Sequence, residues 1–319
     1  MRIGVFDDGL AGLDRRGAFA WCAERGLAAI EMGVGGWGLA RNLPLDALLR
    51  DAAARDALQG ELREHGLALS CVNAAGNPLH PDRAVGDDHR ARLRGAVELA
   101  AALGVSRVVT MSGCPAGPGG GAIGVFASWP LNADHEDLLR WQWREAVEPF
   151  WRETSRWATA VAPAVRICLE LHPGCWAFNP QTFLDLRTAT GPNVMVNLDP
   201  SHFWWQGIDP EAAIDALTGH IGFAHAKDTL LFPDRIRARG VFDVRHPIDP
   251  ATAPWTFAAV GRGHADETWA ALIEALRRAG HDGDLSIEHE DPTLDATAGL
   301  EHSLATLRRV LREGMSGCV

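Results

Sequence analysis

Four short stretches in the second half of the chain end in residues that bind cations or move protons. They read Leu169-Glu170-Leu171-His172-Pro173, Asn197-Leu198-Asp199-Pro200-Ser201-His202, Ala224-His225-Ala226-Lys227-Asp228 and Ile287-Glu288-His289-Glu290-Asp291. Side chains two apart on a strand share a face, so Glu170 with His172, His225 with Lys227, and Glu288 with Glu290 are expected to project together. Glu170, Asp199, His225 and Glu288 then make an oxygen-rich ligand set with one imidazole. That set suits Mn²⁺, Mg²⁺ or Co²⁺ better than a structural thiolate zinc site. Carboxylates buried together without a cation would cost on the order of several kcal/mol or be driven to protonate. A divalent ion in such a place holds two neighbouring sugar oxygens and stabilises the enediolate formed when a carbon beside them loses a proton.

That proton needs a base, and His172 is the nominee because an imidazole titrates near neutral pH. Lys227 is expected to neutralise an enolate oxygen, and His202, past a Pro-induced turn, to hydrogen-bond a hydroxyl. Glu290 is either a second base or the group that orients His225. Trp204 and Trp205 follow the same turn and either floor the sugar or anchor their loop. Asn73, at the end of an earlier apolar run, joins them as a substrate contact. Trp129, Trp255 and Phe232 are candidate walls.

Such residues must be held on rigid elements, and the sequence supplies eight β-rich runs alternating with amphipathic stretches. The runs are Ile3–Asp7, Ala28–Gly33, Ala68–Asn73, Arg107–Ser112, Val165–His172, Val194–Asp199, Ile221–Lys227 and Leu285–Glu290. Val-Val-Thr-Met and Ile-Cys-Leu-Glu-Leu are apolar on both faces, as parallel strands covered on both sides must be. The expectation is a (β/α)8 TIM barrel forming one domain over residues 1–319, with ligands at the C-terminal strand ends. A doubly wound open sheet shares the alternation and differs in closure. Long loops are expected after strands 4 and 7, from Gly113 to about Asp137 and from Leu230 to about His264, as lids over the site. Trp141, Trp143, Trp151 and Trp157 lie in a helical stretch, where packing explains them.

Composition excludes several classes. With 30 Lys and Arg against 41 Asp and Glu, the chain is acidic at −11 and has no basic run, so nucleic acid is not an expected partner. No run is long enough to span a membrane, and Met1–Asp8 has no signal-peptide pattern. The 6 Cys form no C-x-x-C pair, as expected of reduced thiols in the cytoplasm. Gly33–Gly38 and Gly119–Gly124 match G-x-G-x-x-G, but neither opens a helix, and neither is followed by the acid that a dinucleotide site needs. The commonest hydrolase, P-loop and zinc-protease motifs are missing. A two-carboxylate glycosidase using Glu170 and Glu288 would leave Asp199 and His225 unexplained.

At these residues the whole chain resembles the xylose isomerase-like sugar phosphate isomerase/epimerase superfamily of TIM barrels. Within it, Leu198-Asp199-Pro200-Ser201-His202-Phe203-Trp204-Trp205-Gln206-Gly207-Ile208-Asp209-Pro210, His225-Ala226-Lys227-Asp228-Thr229 and Ser286-Ile287-Glu288-His289-Glu290-Asp291-Pro292 resemble the catalytic α subunit of the C-glycoside deglycosidases. The resemblance implies Mn²⁺ on Glu170, Asp199, His225 and Glu288, and a small β partner subunit; self-association is the other expected assembly. It also implies lyase-type removal of the aglycone from a 3-oxo-glycoside. The alternative is a metal-dependent sugar or cyclitol isomerase or epimerase working through the same enolate.

Overall fold

Short apolar runs separated by amphipathic helices give ten strands in a computed structural model that describes residues 1–38, 40, 42–126 and 132–316, with side chains as far as 312. They are β1 (Arg2–Phe6), β2 (Ala29–Gly33), β3 (Ala68–Asn73), β4 (Arg107–Met111), β5 (Arg166–Glu170), β6 (Val194–Leu198), β7 (Ile221–Ala226), β8 (Asp228–Leu231), β9 (Trp255–Ala258) and β10 (Asp284–Ile287). Eight of them close into a barrel in the order β1-β10-β7-β6-β5-β4-β3-β2. This is the expected (β/α)8 architecture, and the closure excludes the doubly wound alternative.

By compactness the chain divides into Met1–Glu31, His65–Ala68 and Leu198–Val319 on one hand, and Met32–Glu64 and Leu69–Asn197 on the other. In the first unit β10 pairs parallel with β1 and with β7, Ser286 opposite Gly4 and His225. In the second, β5 pairs parallel with β4 and β6, Glu170 opposite Met111 and Asn197. Ile167, Cys168 and Leu169 are fully buried in succession, which a strand permits only when both its faces are covered. Trp151 is also fully buried, and its Nε1 donates to Ser112 O at 2.9 Å. It therefore serves packing, as expected for that helical stretch.

Glycine-rich Gly33–Gly38 is a tight turn. Gly36 has φ +102°, and a Cβ there would lie 2.1 Å from Ala75 O, so close backbone approach accounts for the motif. The segment after β7 is not structureless. β8 and β9 pair antiparallel, Asp228 opposite Ala258, and a helix at Pro233–Arg239 lies between them. The Pro-rich composition concealed this hairpin, because its prolines fall outside both strands. After β4 the next helix begins at Ala133. Trp129 and Pro130 lie outside the described residues. Among the described residues no helix is long and apolar enough to cross a membrane.

Six of the eight barrel strands stop one to three residues earlier than the sequence pattern. β5 ends at Glu170 because Pro173 brings no ladder donor and the His172 N–H turns back to Glu170 O at 3.0 Å. β7 ends at Ala226 and β10 at Ile287. Lys227, Glu288 and Glu290 therefore stand just past their strands.

Candidate metal centre

On β7 the alternation that buries Phe223 also buries His225, and aromatic rings hold the imidazole. Phe6 stacks at 6.3 Å and 16°, and Phe223 meets it edge-on at 5.9 Å and 80°. His225 Nε2 lies 3.1 and 3.2 Å from the two carboxylate oxygens of Glu31 on β2, and Nδ1 lies 3.2 Å from Glu288 Oε2.

Asp199 follows β6 directly, where Pro200 bends the chain into a helical turn at Ser201–Trp204. Its Oδ1 accepts the Ser201 N–H at 2.9 Å. Its Oδ2 stands 3.1 Å from Lys227 Nζ and 3.5 Å from His202 Nε2, with no hydrogen bond aligned on it. The ion pair is real as a Coulombic contact, and the lone pairs of that oxygen remain unanswered. Glu170, at the end of β5, accepts from Asn197 Nδ2 at 3.0 Å. Lys227 is 2% exposed and donates to Glu288 Oε2 at 2.7 Å and to Glu290 Oε2 at 2.8 Å, over the Phe257 ring at 4.6 Å.

Ligand atoms of Glu170, Asp199, His225 and Glu288 all lie within 4.8 Å of one another. Glu31, Glu170 and Asp199 are almost wholly buried and Glu288 partly so. Uncompensated buried carboxylates are costly. The orphaned Asp199 oxygen and a donor set of three carboxylates with one imidazole both fit a divalent ion of the Mn²⁺, Mg²⁺ or Co²⁺ class.

The remaining predicted residues fall into two groups. His202 is 1% exposed beside Asp199 and edge-on to Phe257 at 5.4 Å. Glu290, with 47% of its side chain exposed, bonds Lys227, while the carboxylate on His225 Nε2 belongs to Glu31. His172 is half-buried at the turn after β5, tilted against Trp37 at 6.3 Å, with Nδ1 on Pro173 O. The indoles pack onto the segment after β7. Trp204 stacks on His264 at 3.9 Å, and Trp205 on Trp255 at 4.6 Å and 7°. Phe232 packs under Arg235 at 4.2 Å. Asn73 Oδ1 accepts the Ala75 N–H at 2.8 Å.

Two acids beyond the predicted set matter. Glu31 carried a visible signal, being the lone acid of the apolar run Ala28–Gly33. Asp228 did not. Its Oδ2 accepts N–H groups of Gly261 at 2.9 Å, Gly263 and His264 at 3.1 Å and Trp269 Nε1 at 3.2 Å, and its Oδ1 takes Thr229 N at 2.8 Å and His264 Nδ1 at 2.7 Å. A Cβ at Gly263 would stand 2.2 Å from Thr229 O, so only glycine lets this loop reach the carboxylate. Asp291 holds the same loop through Ala259 N at 3.0 Å and Arg262. Burial pushes its carboxyl up, but Thr293, the Ala259 N–H and Arg262 outweigh that and hold it below the usual range.

The profile of a family described as xylose isomerase-like TIM barrel matches residues 19–310. The chain belongs to the xylose isomerase-like TIM-barrel family. An uncharacterized family relative by sequence, YfiH of Bacillus subtilis (strain 168), is 32% identical over 317 residues, covering 98% of this chain and 100% of that one. Among solved structures, the probable 3-DHS dehydratase AsbF of Bacillus anthracis has a TM-score of 0.67 at 14% identity, covering 97% of this chain and 99% of that one. The IolI protein with a binding zinc atom scores 0.65 at 19% identity, over 98% and 99%. A D-tagatose 3-epimerase-like protein scores 0.63 at 17%, over 100% of both chains. At these identities the likeness to the solved structures is one of fold. The fold is thus shared with proteins named as a probable dehydratase and as an epimerase-like protein.

Proposed function

We propose that the chain is a divalent-metal-dependent deglycosidase of the lyase type, which removes the C2 proton of a 3-oxo-glycoside and eliminates the aglycone. The observation that carries this reading is the Glu170, Asp199, His225 and Glu288 quartet, within 4.8 Å, with the Lys227 ammonium against two of its carboxylates. When held by these four residues, a divalent ion, Mn²⁺ in this reading, supplies fixed positive charge for negative charge developing on sugar oxygens.

In a 3-oxo-glucoside the C3 carbonyl acidifies the C2 proton. His172 is the assigned base. Pro173 O accepts from its Nδ1–H, which puts the lone pair on Nε2. Lys227 lies where its charge offsets that of the enolate, and His202 provides a hydrogen bond to a hydroxyl. Glu290, half exposed and bonded to Lys227, links the buried cluster to solvent. The C2–H bond breaks, its electron pair forms the C1=C2 bond, and the C1–aglycone bond breaks. The aglycone departs with the electron pair of the broken C1–aglycone bond and takes up a proton. An electron-rich aromatic ring can accept it even when it leaves through carbon.

Support for an aromatic aglycone comes from an apolar cavity of about 240 Å³ in the segments after β4 and β5. Phe126, Trp176, Phe178 and Cys175 line it, and the Cys175 N–H donates to His172 O at 3.0 Å. The proposal includes a smaller β partner subunit or self-association, tested by native mass in solution. It also includes a cytoplasmic location, which the free thiols of Cys22, Cys71, Cys114, Cys168 and Cys175 suit. A second reading, sugar isomerase or epimerase, is favoured by solved structures of like fold named as D-tagatose 3-epimerase-like and L-ribulose 3-epimerase. It shares the first step and returns the proton to the other face.

Proton NMR in D₂O with Mn²⁺-loaded protein and a 3-oxo-glucoside of a phenol separates the outcomes. Aglycone release with loss of the C2 proton is expected. Deuterium at C2 without release moves the assignment to epimerisation, and neither signal removes the enolising chemistry.

A further inference from the structure

We infer that Glu31 is a positioning residue: it holds His225 by Nε2 and so makes Nδ1 the nitrogen that meets the metal. The inference rests on the metal reading above. A neutral imidazole has one N–H and one lone pair, and its ligand nitrogen is chosen by what the other nitrogen donates to. Glu31 is fully buried and, when ionised, only accepts hydrogen bonds. Both its oxygens lie at 3.1 to 3.2 Å from Nε2. The proton therefore belongs on Nε2. Nδ1 is the nitrogen turned toward Glu288, a fellow member of the quartet, at 3.2 Å. A ring flip would place carbon where Glu31 expects a donor, and the Phe6 and Phe223 rings restrict any intermediate orientation.

Glu31 is not part of the quartet, so its charge acts through His225. A carboxylate on the far nitrogen makes the imidazole a stronger donor and balances the ion's charge. Its backbone fits this role. Glu31 is opposite Phe6 in the β1–β2 register, so the acid and the stacking ring are delivered by neighbouring strands.

The test is Mn²⁺ affinity, read from free Mn²⁺ by electron paramagnetic resonance, for wild type, Glu31→Gln and Glu31→Asp. Glu31→Gln keeps shape and an acceptor but loses the charge, and its Kd is expected to rise about 10- to 100-fold. The visible spectrum of bound Co²⁺ should shift in the same variant and return toward wild type in Glu31→Asp. A merely structural acid would move neither. A second measurement needs no variant at Glu31. In Zn²⁺-loaded wild type, ¹⁵N-histidine spectra should show the Nε2–H tautomer for His225, assigned by its loss in His225→Gln. Equal Mn²⁺ affinity and equal Co²⁺ spectra in Glu31→Gln, or an Nδ1–H tautomer, overturn the inference and leave the metal centre standing. Wild type that binds neither Mn²⁺ nor Co²⁺ overturns both.

Discussion

Asp199 and Asp228 are both buried acids at the ends of barrel strands, 1% and 0% exposed, yet their surroundings are opposite. Asp228 is surrounded by donors, from the Gly261–His264 loop, the neighbouring Thr229 N–H and Trp269 Nε1, and both its oxygens are fully used. Asp199 shares its place with other carboxylates, and its Oδ2, 3.1 Å from the Lys227 ammonium and 3.5 Å from His202 Nε2, lacks an aligned donor. A carboxylate saturated by fixed N–H groups is a fastening, because its charge is already solvated by the protein. One left partly unsatisfied among like charges keeps its affinity for something that arrives later. Burial alone does not separate structural acids from functional ones; the identity and number of their donors does.

The largest expected effect is at the unsatisfied acid. Asp199→Asn should abolish Mn²⁺ binding and lower turnover roughly 10²- to 10³-fold or more. Metal-free melting temperature should hold or rise, since a like charge leaves a crowded site. A large fall in that temperature would erase the contrast. At the saturated acid the readouts exchange. Asp228→Ala should cost about 3–5 kcal/mol in denaturant unfolding, because it leaves buried N–H groups without an acceptor. Mn²⁺ affinity of the folded fraction should change little by comparison.

A smaller effect sharpens the comparison at a half-buried group. His289 has Nδ1 without a partner, and burial holds its imidazole below the ordinary histidine range. The unfolded chain then binds a proton that the folded chain refuses. This contribution to stability is complete above about pH 6.5 and declines as pH falls through the lower folded value. His289→Gln should flatten urea midpoints between pH 7 and 5, and an unchanged slope would assign that dependence elsewhere.

Much of this was legible in the sequence, and what was missed has a physical cause. The barrel showed because parallel strands buried on both faces must be continuous apolar runs, as in Ile167-Cys168-Leu169. The quartet showed because each acid or imidazole ends such a run. Strand ends were read too long at His172 and Glu290, since ionisable residues past a strand continue its alternation on paper. Glu31 was readable as a lone acid in an apolar run. Asp228 was not, because its partners are backbone N–H groups, which leave no mark in side-chain sequence except the glycines that admit them.

The stretch His225-Ala226-Lys227-Asp228 carries a further consequence for how this protein can evolve. His225 and Lys227 serve the acid cluster, while Asp228, next in line, fastens the loop at Gly261–His264. Reactive and anchoring duties are thus set by odd and even places on one thread. Point changes in this stretch test one duty at a time. Loss or gain of a single codon would exchange them all at once, so lineages of this chain should vary here by substitution and keep its length.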